Sequence, residues 1–259
     1  MNGDKMEEKD AIAARLTQAI LYGKSPGIEA ESGTGRTHLY VSELSNCIRQ
    51  TYYKVTGAAP DEEADDNGPA SFIMSFGNSF ESLVSERFAE LGIPRSKLRR
   101  GDRKLNLSGE TDPLIRFEDK LIITECKATH RANYEVIIDK LLRYNEYPSN
   151  YYDQLQMYLW LTPKVDLGVL IIGNRDMRYK DKTPPFIIIP VERDSVWKGK
   201  NYARVNELND AIDKSQEPRR EFTPKDWQCR VCPYFKRCYD GEDILATKSN
   251  SGNGGISQQ

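Results

Sequence analysis

The sequence predicts an α/β protein built on one mixed sheet. Three observations predict it: an apolar stripe at helical spacing is followed by three short segments with strand-like patterns; a second helical segment ends at a proline; and two short continuous apolar runs come after it. The order helix, three strands, helix, strands is typical of an α/β core. At 259 residues the chain has room for one large domain or two small ones.

Each predicted element has its own signal. Apolar residues three and four apart indicate helices, while alternation or a short apolar run bounded by turn residues indicates strands. Pro94 and Pro163 end two of the helices. In chain order, the predicted elements are a helix at 7–22, a helix from about Met74 to Leu91, strands at Leu105–Leu107, Leu114–Phe117 and Lys120–Lys127, a helix from about Ser149 to Leu161, strands at Leu167–Ile172 and Phe186–Val191, and a helix at 201–214.

Composition and charge exclude several classes of function. The chain has 37 basic and 39 acidic residues, so any DNA contact has to come from a local patch. Two histidines, His38 and His130, are too few for a three-histidine zinc site. No apolar run approaches the roughly 20 residues of a membrane span. Because Met1–Asp10 is charged and lacks an apolar signal core, we expect an intracellular, cytoplasmic protein without a membrane partner.

Two charged segments flank the helix predicted near residue 80. Residues 60–70 are acidic and contain proline and glycine, which predicts a solvated surface loop. Residues 95–104 are basic and contain Asp102 as their one acidic residue. This second segment is either a solvated loop or a contact for the phosphate backbone of DNA.

The strand segment Glu125-Cys126-Lys127 is the strongest candidate for chemistry. Two other Glu-x-Lys triplets, at 7–9 and 118–120, fall on a terminal helix and in a turn. Strand alternation places Glu125 and Lys127 on one face, and the preceding hairpin brings Asp112 to the same end of the sheet. Two carboxylates and a backbone carbonyl suit Mg²⁺ or Mn²⁺, and a lysine beside them suits phosphoryl chemistry. The alternative is an ordinary salt bridge at a strand end.

Three further side chains fit such a site. Glu81 lies at the edge of the apolar face of its helix and is a candidate third acidic ligand. Gln154 and Tyr158 are four residues apart on the helix that follows the Glu-x-Lys strand, so they share a face. Their alternative role is packing within a tyrosine-rich helix.

These residues resemble the ordered motifs of the PD-(D/E)XK nuclease superfamily, in its RecB-like branch. The motifs are Gly77-x-x-x-Glu81, Ser108-Gly109-x-x-Asp112, Glu125-Cys126-Lys127 and Gln154-x-x-x-Tyr158. The resemblance implies a restriction-endonuclease-like αβββαβ core with a mixed sheet. It implies Asp112 and Glu125 as metal ligands, the Cys126 carbonyl as a third donor and Lys127 as the catalytic lysine. Gln154 and Tyr158 would support the site and contact substrate. Many RecB-like members have histidine where Glu81 stands, although a carboxylate binds the same ion.

Cys229, Cys232 and Cys238 lie in one short segment, and a fourth metal ligand has to come from Cys47 or Cys126. Cysteines in an intracellular chain indicate metal ligation or catalysis rather than disulfides. Each distant cysteine has an ordinary alternative role as a small buried side chain. One N-terminal and three C-terminal cysteines resemble the iron–sulfur staple of CRISPR-associated RecB-like exonucleases and their phage relatives, which implies a [4Fe–4S] cluster on Cys47 and the three C-terminal cysteines. Four thiolates also suit Zn²⁺, which stays the alternative.

The resemblance therefore implies a metal-dependent exonuclease acting on single-stranded DNA or frayed DNA ends. Its protein partners would be CRISPR integrase proteins or a phage recombination protein. Two other functions stay open: a non-catalytic iron–sulfur DNA-binding or scaffold subunit, and a structure- or sequence-specific endonuclease on the same core. The predicted organisation is an N-terminal helical segment and loop (1–46), a nuclease core (47–221), a cysteine-cluster segment (222–247) and a disordered tail (248–259).

Overall fold

The fold is described from a computed structural model, which covers residues 38–61, 68–117, 119–165, 167–178, 180 and 183–239, with backbone only for 68–75. The helix predicted at 7–22, most of the predicted acidic loop and the predicted tail lie outside these residues. Within them, no helix is long and apolar enough to cross a membrane.

The described residues form two sheets flanked by helices. The strands are β1 (Leu39–Tyr40), β2 (Arg95–Ser96), β3 (Arg99–Asp102), β4 (Leu107–Glu110), β5 (Leu114–Phe117), β6 (Lys120–Thr129), β7 (Leu167–Asn174) and β8 (Phe186–Glu192). The helices are α1 (Ile48–Val55), α2 (Gly68–Glu90), α3 (Arg131–Tyr144), α4 (Ser149–Leu161), α5 (Ser195–Asp213), α6 (Trp227–Arg230) and α7 (Phe235–Tyr239), and a 3₁₀ turn spans Val41–Glu43.

The larger sheet has five strands in the order β2-β5-β6-β7-β8. β6 runs parallel to β7, with Glu125 opposite Leu170, and the other neighbours are antiparallel. A parallel pair needs a crossover connection, and here α3 and α4 supply it. Counting only the strands of this sheet, α2 is followed by β2, β5 and β6, then by the helical crossover and β7. This is the αβββαβ order of a restriction-endonuclease-like core, so the predicted fold class is confirmed.

The prediction of a single sheet is wrong, because a second sheet of three strands forms in the order β1-β4-β3. Both sheets are mixed, since β1 is parallel to β4 and β3 is antiparallel to it. The basic segment 95–104, predicted as a loop or DNA contact, contributes β2 and β3 as exposed strands. The chain leaves one sheet at Glu110 and enters the other at Leu114, so Asp112 lies in the crossing between them.

Helices pack on the large sheet where glycine leaves room. A Cβ at Gly168 of β7 would meet Leu155 of α4 at 2.9 Å, and one at Gly173 would collide with the ring of Phe80 on α2. Leu155 is fully buried. These close approaches fix α2 and α4, which carry three of the predicted site residues, against the strand pair that carries the Glu-x-Lys segment.

Most element boundaries agree with the predictions, and the differences have local causes. α4 spans Ser149–Leu161 as predicted. α2 begins at Gly68 rather than near Met74, with Pro69 in the first turn, where proline is tolerated. The strand predicted at Leu105–Leu107 is wrong: Asn106 adopts a positive φ of 49°, so the chain turns there and β4 starts at Leu107.

Two helices differ more from the sequence expectation. α5 begins at Ser195 rather than 201, because the Asp194 side chain accepts hydrogen bonds from the first backbone N–H groups of the helix. α3 was not predicted. His130 caps it, and Tyr134, Ile137, Ile138 and Leu141 face the core. The apolar Val136 and Leu142 are exposed and obscure this stripe in the sequence.

Candidate active site

Asp112 reaches the edge of β6 through a short hydrogen bond. β5 pairs with β6 only as far as Leu114, opposite Ile123, so the next N–H groups of β6 lack a strand partner. The Cys126 N–H donates to Asp112 Oδ2 at 2.6 Å, and the Thr124 hydroxyl donates to the Pro113 carbonyl at 2.6 Å. The loop between the sheets therefore takes the place of a strand and holds the Asp112 carboxylate beside the Glu-x-Lys segment.

Glu125 and Lys127 form an ion pair within β6. Glu125 is fully buried, and its Oε1 accepts a hydrogen bond from the Lys127 Nζ, whose side chain is 29% exposed. The second oxygen, Oε2, is buried and has no hydrogen-bond partner in the part of the chain that the structure describes. A buried polar atom without a partner costs about 1–3 kcal/mol and calls for an explanation.

Burial is the largest single effect on the pKa values of Asp112, Glu125 and Lys127, although other charges outweigh it for the lysine. It raises the pKa of Asp112 to about 6, against the opposing effects of the Cys126 N–H and the Lys127 ammonium. Burial raises the pKa of Glu125 more than Lys127 lowers it. For Lys127, burial disfavours the ammonium, but the Glu125 carboxylate outweighs burial and raises the pKa, so this lysine is charged at neutral pH.

Glu81 on α2 joins this group. Its charge raises the pKa of both Asp112 and Glu125, although less than burial does, so the three carboxylates share one electrostatic site. The Glu81 side chain is 19% exposed, and its Oε1 lies 2.7 Å from the Nζ of Lys97. Sequence reasoning did not single out Lys97, because it is one of several basic residues in 95–104 and nothing in the pattern distinguishes it.

Tyr158 and Gln154 support the site from behind. The Tyr158 hydroxyl donates to the Glu110 carbonyl at 2.7 Å, and burial raises the pKa of this hydroxyl more than the Gln154 side chain one turn away lowers it. Tyr158 is only 2% exposed. Gly109 makes this approach possible, because a Cβ there would lie 2.8 Å from the Tyr158 oxygen. The pair therefore fixes the end of β4, two residues before Asp112.

The donor chemistry of this site suits a hard divalent cation. Asp112, Glu125 and Glu81 offer carboxylate oxygens, which Mg²⁺ and Mn²⁺ prefer, and one of them is the unpartnered Oε2. Among the described residues, no three His, Cys, Asp or Glu side chains are already gathered into a metal-ligating group. The three carboxylates thus fit the ion in chemistry and location, and they would have to converge further to bind it.

Beyond the effect of burial, the thiols of the four cysteines predicted to bind a cluster raise the pKa values of Cys229 and Cys232, but among the described residues no three of them are gathered into a metal-ligating group. Cys47 precedes α1, Cys229 is in α6 and Cys238 is in α7. Burial, followed by smaller effects of the three neighbouring thiols, raises the pKa of Cys232. Cys126 lies apart: it is buried in β6, and the charges acting on its thiol are those of the candidate active site.

Arg204 of α5 holds the segment that carries Cys47. Its guanidinium donates to the carbonyls of Leu44 and Asn46 and forms a two-point ion pair with Glu221, at 2.7 and 2.8 Å. Glu221 in turn accepts a hydrogen bond from the Ile48 N–H at 2.8 Å. These contacts join residues more than 150 positions apart in the sequence, and they need no metal.

Comparison with known proteins shows a similarity of fold to solved structures. No family model and no curated protein matches the chain. Among the similar solved structures, SSO0001 has a TM-score of 0.47 and 18% sequence identity, and the match covers 86% of this chain and 94% of that one. The alkaline exonuclease LHK-Exo from Laribacter hongkongensis has a TM-score of 0.48 and 12% identity, with 69% of this chain and 89% of that one covered. A phage-related exonuclease from Haemophilus somnus 129PT has a TM-score of 0.42 and 14% identity, with 72% of this chain and 98% of that one covered. With every TM-score below 0.5, these likenesses do not decide what this chain does.

Proposed function

We propose that the chain is a metal-dependent deoxyribonuclease that hydrolyses phosphodiester bonds of single-stranded or frayed DNA from an end. The observation that carries the proposal is the buried Glu125 carboxylate, with one oxygen on Lys127 and the other without a hydrogen-bond partner among the residues that the structure describes. An arrangement that is costly to folding is typical of a functional site. The carboxylates of Asp112 and Glu81 beside it make a cation the ligand that best fits this oxygen.

Asp112 and Glu125 would hold Mg²⁺ or Mn²⁺, with Glu81 and the Cys126 carbonyl as further donors. When bound, such an ion polarises a phosphoryl group and lowers the pKa of the attacking water. The choice between the two ions stays a prediction, since both prefer oxygen ligands.

The remaining chemistry belongs to the side chains of the chain itself. Lys127 keeps its proton, so its ammonium is placed to neutralise the charge that develops on the phosphoryl oxygens. Glu125 Oε1 fixes the direction of that ammonium, and the Cys126 N–H fixes the Asp112 carboxylate. Tyr158 prevents the loop before Asp112 from shifting. Because these supports are made before substrate binds, little reorganisation is required during reaction.

Digestion of linear and circular single-stranded DNA tests the proposal. We expect the purified protein to degrade an end-labelled linear oligonucleotide with Mn²⁺ and to be inactive in EDTA. A closed circle of the same sequence should survive. Cutting of the circle at defined positions would support the endonuclease instead, whereas DNA binding without any cleavage would support the scaffold subunit.

We further propose that Cys47, Cys229, Cys232 and Cys238 bind a [4Fe–4S] cluster that joins the N- and C-terminal parts of the core. The effects of the four thiols on the pKa values of Cys229 and Cys232, which add to that of burial, support this, as does Arg49, whose Nη1 lies 3.8 Å from the Cys238 Sγ. Among the described residues no three of these thiols already form a metal-ligating group, so they would have to converge to bind the cluster. Iron and sulfide analysis of protein purified without oxygen distinguishes the cluster from Zn²⁺. A role in CRISPR adaptation or phage recombination stays a prediction.

A further inference from the structure

Lys97 lies at the mouth of the candidate active site, between β2 and β3. Its Nζ is 2.7 Å from Glu81 Oε1, and its side chain is 57% exposed. The carboxylates of Asp112 and Glu110 also act on its charge. The candidate site therefore contains a second lysine, supplied by a different segment of the chain from the one that supplies Lys127.

The two lysines differ in their freedom to move. Lys127 starts from the central strand β6, is mostly buried and contacts the fully buried Glu125. Lys97 starts from an exposed connection and is held at its tip by one half-buried carboxylate. Its long flexible stem allows the ammonium to move while the backbone stays in place. Because the lysine of this pair is more than half exposed, the pair contributes about 1 kcal/mol or less and is readily exchanged.

A cation on the carboxylates changes the environment of Lys97. A cation beside Glu81 repels the Lys97 ammonium and competes with it for the Glu81 carboxylate, so the ion pair between Lys97 and Glu81 weakens. The phosphates of a bound DNA strand bring new negative charge to the same mouth. Two nearby arginines have other partners: Arg95 donates to the Ser85 hydroxyl, and Arg99 pairs with Glu110.

We propose that Lys97 exchanges partners when the site is loaded, leaving Glu81 for a phosphate of the DNA strand. In the metal-free protein Lys97 neutralises Glu81; in the loaded protein it contacts substrate. This inference rests on the proposed nuclease function and adds to it a residue outside the Glu-x-Lys segment. It predicts opposite effects of Lys97 on metal binding and on DNA binding, which a purely structural role would not produce.

Substitution Lys97→Met tests the exchange, because methionine keeps most of the stem and removes the charge. Lys214→Met is the matched control, since Lys214 forms an exposed ion pair with Asp210 on α5. Binding of Mn²⁺ without DNA should tighten roughly three- to tenfold in Lys97→Met, because a competing positive charge is removed. Lys214→Met should bind Mn²⁺ like the unmodified protein.

DNA binding is measured by fluorescence anisotropy of a labelled thymidine oligonucleotide, in a Lys127→Ala background so that the strand is not degraded. With Mn²⁺ present, Lys97→Met should weaken binding at least roughly threefold and reduce the slope of log Kd against log salt by about 0.7, the value of one single-strand phosphate contact. In EDTA the two proteins should differ less, because Lys97 is then on Glu81.

The two proposals fail in distinguishable ways. If Lys97→Met weakens Mn²⁺ binding, or leaves DNA binding and its salt slope unchanged with Mn²⁺, the exchange of partners is wrong. Cleavage of the same oligonucleotide by the unmodified protein with Mn²⁺ reports separately on the nuclease function. Absence of that cleavage overturns the nuclease, whatever Lys97→Met does.

Discussion

Arg204 gives the most quantitative prediction about stability, because one guanidinium joins three parts of the chain. The substitution Arg204→Met removes the ion pair with Glu221 and the hydrogen bonds to the Leu44 and Asn46 carbonyls. Methionine fills a similar length with apolar atoms, so the packing of the stem is largely retained. What is lost is the charge and its four polar contacts.

The expected cost follows from burial. The side chains of Arg204 and Glu221 are 19% and 14% exposed, so Glu221 would be left nearly buried, with only the Ile48 N–H and the more distant Arg219 at 4.0 Å as contacts. Removing one partner of a buried ion pair costs about 3–5 kcal/mol, and each carbonyl left without a donor adds to this. Allowing for the residual exposure, we expect the free energy of unfolding to fall by about 4 kcal/mol. For a chain of this size, this corresponds to a fall of about 8–16 °C in Tm.

Thermal and urea unfolding of the metal-free protein measure this cost. Arg143→Met is the control, because Arg143 pairs with Asp139 at 2.5 Å but is 68% exposed, and its loss should cost less than about 1 kcal/mol. The reasoning is refuted if the unfolding free energies of the two variants differ by less than about 1 kcal/mol, because the buried contacts of Arg204 would then stabilise the fold no more than an exposed ion pair does.

Three further predictions concern single contacts. Burial raises the pKa of Glu221, but its contacts, above all Arg204, outweigh burial and lower the pKa below its ordinary 4.5. The difference in unfolding free energy between the unmodified protein and Glu221→Gln should therefore be constant at neutral pH. In acid-unfolding curves it should disappear as the pH falls below 4.5. Gly109→Ala should push away the Tyr158 hydroxyl, lower stability by about 1–3 kcal/mol and slow cleavage in the same preparation. Gly173→Ala should collide with the ring of Phe80 and weaken Mn²⁺ binding measured by calorimetry, whereas the double variant with Phe80→Leu should recover it.

The large sheet could be predicted because its signals are local. β6 shows strand alternation after its apolar start, β7 is a short apolar run, and α4 is delimited by Ser149 and a following proline, so their periods and ends are visible in the sequence. β2 and β3 could not be predicted in this way. They are short, basic and exposed, and they are strands because β4 and β5 offer them an edge, which is a non-local cause.

The residues of the candidate site also divide into those with a local signal in the sequence and those placed by non-local contacts. Glu125, Lys127 and Asp112 could be selected because a hairpin and strand alternation determine which residues share a face. Lys97 and Arg204 could not be selected, because no periodicity relates them to their partners. Glu81 lies 16 positions from Lys97, and the partners of Arg204 lie 17 to 160 positions away. Charge pattern alone does not tell which basic residue of an exposed segment faces an acidic one.

The most direct test of the central claim compares two lysines of the same strand. Lys127 pairs with the buried Glu125, whereas Lys120, the lysine of another Glu-x-Lys triplet, is exposed at the start of β6. With Mn²⁺ and end-labelled single-stranded DNA, Lys127→Ala should reduce the cleavage rate at least about a hundredfold, while Lys120→Ala should leave it unchanged. Equal rates for Lys127→Ala and the unmodified protein would contradict the assignment of this site as the nuclease centre.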